Sequence, residues 1–215
     1  MKILIVGYGL IADELVKFDS TNQFYGIKRS IDRNRPNLKL YEGNYTKGFD
    51  SQILKLLPEV ILFFPKTIGT SLDEYKKAYL EPLEFFQKNF QNSFKVFISS
   101  TRVFKGYANV SVDERTEPLP IDEQGCIIYQ YEKIALSLNN SYLLRLGGLI
   151  GKNKNYVRDI LDNKSIKQNK YINSIHVYDV AIAISKVISG QINEKILNLV
   201  MPNKIQFSDL DSQKE

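Results

Sequence analysis

Lys2-Ile3-Leu4-Ile5-Val6-Gly7-Tyr8-Gly9-Leu10-Ile11-Ala12 is the stretch that decides the fold of this chain. An unbroken apolar run ending at a glycine is the pattern of a strand buried on both faces, as in a parallel sheet. Leu10, Ile11, Leu15 and Phe18 then recur at helical spacing. Gly7 to Ala12 fits Gly-x-Gly-x-x-Gly/Ala and lies between that strand and that helix, the context in which this pattern holds a dinucleotide. Gly7 permits the tight turn, Gly9 lets the backbone approach a pyrophosphate, and Ala12 keeps the helix close to the sheet. The backbone at Tyr8, Leu10 and Ile11 adds amide donors and the positive end of the helix dipole. The alternative is a tight turn chosen only for packing.

Outward from this stretch, further apolar runs occur at residues 23–27, 38–41, 60–64, 94–98, 142–146 and 196–200, with helix-sized intervals among them. The interval 72–90 places Leu72, Tyr75, Tyr79, Leu83 and Phe86 on one stripe, and Pro82 predicts a kink or a break within it. Residues 127–138 and 177–188 read as two more amphipathic helices. Strands alternating with helices imply right-handed crossovers and a Rossmann-type, doubly wound α/β sheet with helices on both faces. The 215 residues show no repeat, low-complexity tract or composition break. The expectation is one domain over residues 1–215, with a small substrate-side portion within about 147–215. Residues 113–120 read as a surface loop, because Pro118 and Pro120 disfavour a helix.

With 43% hydrophobic and 25% charged residues the chain has the composition of a folded globular protein, which excludes disorder as its default state. Its net charge of +5 comes from 29 basic and 24 acidic side chains of mixed order. The densest basic stretch, residues 164–170, lacks the interleaved aromatics of a nucleic-acid groove, so no nucleic-acid partner is expected. A single cysteine, Cys126, and a single histidine, His176, cannot build a Cys/His zinc site, and no metal is expected. The lone thiol fits a reducing cytoplasm, and the absence of a long apolar run argues against a membrane partner. Cys126 lacks the local signatures of a cysteine nucleophile and reads as a plain thiol.

After the second run the chain reads Gly26-Ile27-Lys28-Arg29-Ser30, with no Asp or Glu between Asp19 and Asp32. An acidic side chain here suits the ribose hydroxyls of NAD, whereas an Arg suits a 2′-phosphate. Arg29, with Lys28 or Ser30 beside it, therefore favours NADP(H), with NAD(H) left open. The alternative is a solvated basic turn.

Tyr129 and Lys133 stand four apart, and so on one face of a helix. In a lysine-rich chain with 13 Tyr such a pair also arises by chance, and the spacing alone decides nothing. Its position carries more weight, because it follows Phe97-Ile98-Ser99-Ser100-Thr101-Arg102-Val103-Phe104, a strand ending in hydroxyl residues. Together these segments resemble the short-chain dehydrogenase/reductase superfamily, in its extended branch of NAD(P)-dependent epimerases, dehydratases and reductases. Ser99 to Gly106 is similar to that branch's Ser-Ser-x-x-Val-Tyr-Gly segment. Asp113-Glu114 to Pro120 resembles its Asp-Glu and Pro-rich loop, and Tyr129 to Lys133 its Tyr-x-x-x-Lys. Leu144 to Gly151 and Ile175-His176-Val177-Tyr178-Asp179-Val180-Ala181 are similar to two further motifs. His176 and Asp179 read there as helix-entry scaffolding.

The resemblance implies Tyr129 as general acid and Ser100 as the hydrogen-bond donor to a substrate carbonyl, with Thr101 a weaker substitute. It implies that Lys133 binds the nicotinamide ribose and lowers the Tyr129 pKa, since an ammonium beside a phenol stabilises phenolate. A packed Tyr129 and a solvated Lys133 are the bland alternative. Several positions depart from the branch. The turn is Gly-x-Gly-x-x-Ala, Asn44 stands where many members carry an adenine-contacting Asp, and Phe64-Pro65-Lys66 replaces a small-residue segment. Asn44 and Phe64 are carried as cofactor-binding candidates. The chain is also shorter than typical members, with little room for a substrate domain. The implied activity is an NADPH-dependent reductase acting on a small-molecule carbonyl substrate, with a nucleotide-linked keto sugar as the substrate class. Epimerisation or dehydration could use the same residues. A non-catalytic NADP-binding sensor or partner subunit is the reading from a different class, and the resemblance further implies a homodimer.

Overall fold

The structure, a computed structural model, describes residues 1–31, 35–107, 110–152, 154–161, 171–203 and 205–206. The basic stretch 164–170 lies outside the described residues. In chain order the elements are β1 (Lys2–Val6), α1 (Leu10–Phe18), β2 (Gln23–Lys28), β3 (Leu38–Glu42), α2 (Ser51–Leu54), β4 (Val60–Phe63), α3 (Leu72–Tyr79), α4 (Glu81–Asn89), β5 (Phe94–Ser100), α5 (Glu123–Ser137), β6 (Ser141–Leu146), β7 (Gly148–Gly151), β8 (Lys154–Asn155), α6 (Tyr156–Leu161), β9 (Tyr171–Ile172), β10 (Ser174–His176), α7 (Val177–Ile188), β11 (Ile196–Leu199) and β12 (Ile205–Gln206).

The seven apolar runs of the sequence are the seven strands of the main sheet, ordered β11-β6-β5-β4-β1-β2-β3 and parallel throughout. The strand order reverses between β1 and β4. A crevice opens at such a switch point, outside the carboxyl ends of the strands. Alternation along β1 splits the core. Ile3 and Ile5 join Leu15 of α1 and Val180, Ala181 and Ile184 of α7 on one face, while Leu4 and Val6 join Phe86 of α4 and Tyr131 and Ala135 of α5 on the other.

Pro82 lies in the first turn of α4, so the interval 72–90 is two helices meeting at Leu80. Ser71 and Glu74 close a capping box at the start of α3. Helix α5 begins a turn earlier than its apolar spacing predicts, because Asp122 caps it by accepting from the Gly125 amide at 2.7 Å. Helix α7 runs over the expected residues, and His176 is its N-cap, Nδ1 accepting from the Tyr178 amide at 3.2 Å. Beyond β6, the short strands other than β11 form two small sheets, β10-β7-β8 and β12-β9. Their strands are too short to show a period in the sequence.

Candidate functional site

Gly7 leaves β1 with φ +84°, and a Cβ there would lie 2.2 Å from the carbonyl oxygen of Phe64. That backbone is pinned, since the Phe64 amide donates to the Val6 carbonyl at 2.9 Å. Gly9 differs: its φ is −151°, it is the N-cap of α1, and a Cβ there would approach the chain no closer than 3.8 Å. The fold requires a glycine at 7 and leaves room at 9. The first amides of α1, at Leu10 and Ile11, have no partner within a helix. The Ile11 side chain is buried in the core, so this residue can meet a ligand only through its backbone.

A cavity of about 200 Å³ opens beside this turn. It is bounded by Gly7, Tyr8, Lys28, Arg29, Ser30 and Asn44, six residues that the sequence marks for cofactor binding. Tyr8 is buried, with its ring over Gly26, and donates its hydroxyl to Asp13 Oδ1 at 3.2 Å. Asn44 Oδ1 accepts from the amide and hydroxyl of Thr46, capping a short 3₁₀ turn. Phe64 lies outside this lining; its side chain is buried and its carbonyl sits against Gly7.

Tyr45, Lys66, Glu74 and Lys77 also line the cavity, and sequence reasoning did not assign them to it. The Tyr45 hydroxyl accepts from the Lys66 amide at 2.7 Å and so fixes the segment after β4. Burial pushes its pKa up to about 12. Four basic side chains, Lys28, Arg29, Lys66 and Lys77, face one acid, Glu74, which is already engaged with Ser71. The lining therefore suits an anionic group.

The other candidates lie along the same carboxyl edge, where β5 ends. Tyr129 and Lys133 are one turn apart on α5, and Lys133 Nζ lies 4.7 Å from the centroid of the Tyr129 ring. Ser100 is the last residue of β5, and its Oγ accepts from the Arg102 amide at 3.2 Å. Among the described residues no hydrogen bond joins Ser100 to Tyr129 or Lys133. The Tyr129 hydroxyl instead donates to Glu117, in the loop between β5 and α5. That carboxylate raises the Tyr129 pKa above the ordinary phenol value, with partial burial in the same direction. The lowering expected from Lys133 is thus replaced by its opposite. The ammonium sits over the ring, while the carboxylate holds the phenolic proton itself.

Behind these residues lies a buried polar cluster that the sequence analysis did not single out. Ser99 Oγ donates to Glu132 Oε1 at 2.5 Å, and Arg145 Nη2 donates to Glu132 Oε2 at 2.8 Å. Its signal in the sequence is an arginine inside an apolar strand, which is seldom buried without a partner. Among the described residues no group of three His, Cys, Asp or Glu could hold a metal ion, and no helix is long and apolar enough to cross a membrane.

No protein-family model matches the sequence, and no curated protein matches it. Solved structures do match in fold. The UDP-glucuronic acid 4-epimerase of Bacillus cereus, in complex with NAD, is 14% identical with a TM-score of 0.79, over 100% of this chain and 85% of its own. The dTDP-glucose 4,6-dehydratase of Bacillus anthracis, also with NAD, is 18% identical with a TM-score of 0.77, over 99% and 79%. A dTDP-4-dehydrorhamnose reductase of Clostridium acetobutylicum is 19% identical with a TM-score of 0.73, over 99% and 79%. The chain shares the Rossmann-type fold of these structures over nearly its whole length.

Proposed function

We propose that this chain is an NADP(H)-dependent short-chain reductase of the extended type, acting on a carbonyl substrate of the nucleotide-linked keto-sugar class. One observation carries the reading: a basic cavity at the β1/β4 switch point shares a sheet edge with the Tyr129–Lys133 pair. The residues suit a dinucleotide. Gly9 leaves open space at a helix N-terminus for a diphosphate, with the Leu10 and Ile11 amides as donors. Lys28, Arg29 and Ser30 would hold a 2′-phosphate, and Asn44 would face the adenosine end. The bound cofactor supplies the hydride.

The chain's own residues manage the proton and the carbonyl. Ser100 donates to the carbonyl oxygen, and Tyr129 gives it a proton as negative charge develops there. Lys133 stabilises the phenolate left behind. Tyr129 must first release Glu117, so substrate entry exchanges one acceptor for another. An epimerase or dehydratase would use the same groups, a reading supported by the names of two of the three neighbours.

The test is NADPH oxidation by the purified protein with a nucleoside-diphosphate keto sugar, followed by product analysis. Tyr129→Phe is expected to cut turnover by about 100-fold or more while leaving cofactor affinity unchanged. An active Tyr129→Phe variant would refute Tyr129 as the acid. Intact NADPH binding without turnover would leave the sensor reading, to which Glu117's hold on Tyr129 lends support.

A further inference from the structure

Ser99, Glu132 and Arg145 come from three elements. Ser99 and Arg145 stand directly opposite each other in the β5–β6 pair, and Glu132 reaches them from α5. All three are buried, with Glu132 1% and Arg145 3% exposed. Besides the bonds from Ser99 Oγ and Arg145 Nη2, the Glu132 carboxylate accepts from Arg145 Nε at 3.1 Å to each oxygen. The guanidinium lies over the Phe104 ring at 4.8 Å, and Phe104 belongs to the small cluster against which Tyr129 packs.

A buried ion pair is a poor way to gain stability, because desolvation offsets most of the attraction. Its placement suggests another use. Ser99 precedes Ser100, Glu132 precedes Lys133 and follows Tyr129 by three residues, and Arg145 lies next to the strand end that enters β7. We propose that Ser99, Glu132 and Arg145 are positioning residues, a single charged joint that fixes α5 against the ends of β5 and β6 and so sets where Ser100, Tyr129 and Lys133 stand. The assignment rests on the proposed reaction for its purpose and on the buried geometry for its existence.

Both charges also reach the Tyr129 hydroxyl, with opposite signs: Glu132 raises its pKa and Arg145 lowers it. Among the described residues, the other titratable groups that face Tyr129 or pack against the same cluster are Glu117 and Tyr107 from the loop, Lys133 on its own helix, and Tyr75 and Tyr79 from α3. None of these groups is itself replaced in the joint variants.

The experiment labels tyrosine ring carbons and follows Tyr129 ionisation by NMR, with Tyr129→Phe assigning the signal. Glu132→Gln is expected to move the titration to lower pH and Arg145→Met to higher pH. A scaffold without electrostatic reach would move both variants alike or neither. Either single change leaves a buried charge unpaired and could prevent folding, so the double variant Glu132→Gln/Arg145→Met, which removes both charges, is measured as well. In the double variant kcat is expected to fall about 100-fold, with KM and cofactor affinity within about twofold of wild type. Turnover equal to wild type in a folded double variant would overturn the proposal, as would a Tyr129 titration identical in wild type and both single variants. If the wild-type protein shows no turnover, the reductase reading fails. The tyrosine titrations then decide the joint on their own, and where one single variant does not fold, the other decides: a Tyr129 titration that does not move in the folded single variant would overturn the joint.

Discussion

Gly7 and Gly9 lie two residues apart in one turn, and the structure predicts opposite consequences for replacing them with alanine. At Gly7 the φ of +84° costs a residue with a side chain about 1–2 kcal/mol. The new methyl would also sit 2.2 Å from a backbone oxygen that the β1–β4 pairing holds in place. Relieving that contact displaces the ends of two central strands, at an overpacking cost of about 1–3 kcal/mol. The sum is about 3 kcal/mol, which for a chain of this size lowers Tm by about 6–12 °C. At Gly9 the backbone is extended and the nearest atom lies 3.8 Å away, an ordinary contact. Gly9→Ala is therefore expected to change stability by no more than about 1 kcal/mol, the size of an N-cap preference. Its cost falls on the ligand, because a methyl at 9 fills the space a diphosphate would take. Thermal unfolding of both variants, with NADPH titration of each, checks the pair. Gly9→Ala binding NADPH as tightly as wild type would refute the reasoning and leave the turn as a packing device. Gly7→Ala melting with the wild type would refute the steric half.

Three further outcomes follow from side chains. Glu117→Gln removes the carboxylate that raises the Tyr129 pKa; since proton donation needs the protonated phenol, the fall of activity with rising pH should begin at a lower pH than in wild type. A pH–rate profile of the two proteins reads this shift. Lys95 is buried at the opposite edge of the sheet, its ammonium donating to the carbonyls of Gln91, Ser93 and Asn139. Lys95→Met strands those acceptors and should destabilise by roughly 3 kcal/mol without altering NADPH affinity, as denaturant unfolding and titration would report. Burial works against the charged form of Asp122, but hydrogen bonds from Lys105, the Gly125 amide and Arg102 outweigh it and hold its pKa at about 2. Its folded pKa lies below the unfolded value, so its contribution is present above about pH 4 and is lost as pH falls toward about 2; Asp122→Ala should flatten that part of the stability–pH curve.

The main sheet was legible because its central strands, β1 and β4 above all, are buried on both faces and read as continuous apolar runs, while the edge strands β3 and β11 are only partly buried. Gly7 was legible because a tight turn at positive φ leaves few residue choices. The break at Pro82 was legible for the same reason, since proline restricts the backbone. Other features depend on contacts that chain order does not display. Lys66 and Lys77 reach the cavity only because the fold brings the segment after β4 and helix α3 to the same lining as the ends of β1, β2 and β3. Glu117 meets Tyr129 because the loop folds back, the Tyr107 hydroxyl donating to the Glu117 carbonyl at 2.8 Å and the Asn198 amide to Glu114 at the same distance. The spacing of Tyr129 and Lys133 gives their shared face but not the carboxylate opposite them. That is why the direction of the Tyr129 shift was reversed. The Ser99–Glu132–Arg145 joint spans 46 residues of sequence, and only the β5–β6 register brings its ends together.

The central claim is a dinucleotide cleft whose basic wall reads a 2′-phosphate. Fluorescence titration of the purified protein with NADPH and NADH, repeated with Arg29→Ala, tests it most directly. The account predicts tighter binding of NADPH by wild type, with the preference lost in the variant while NADH affinity is kept. Binding of neither nucleotide by the folded wild-type protein would contradict it.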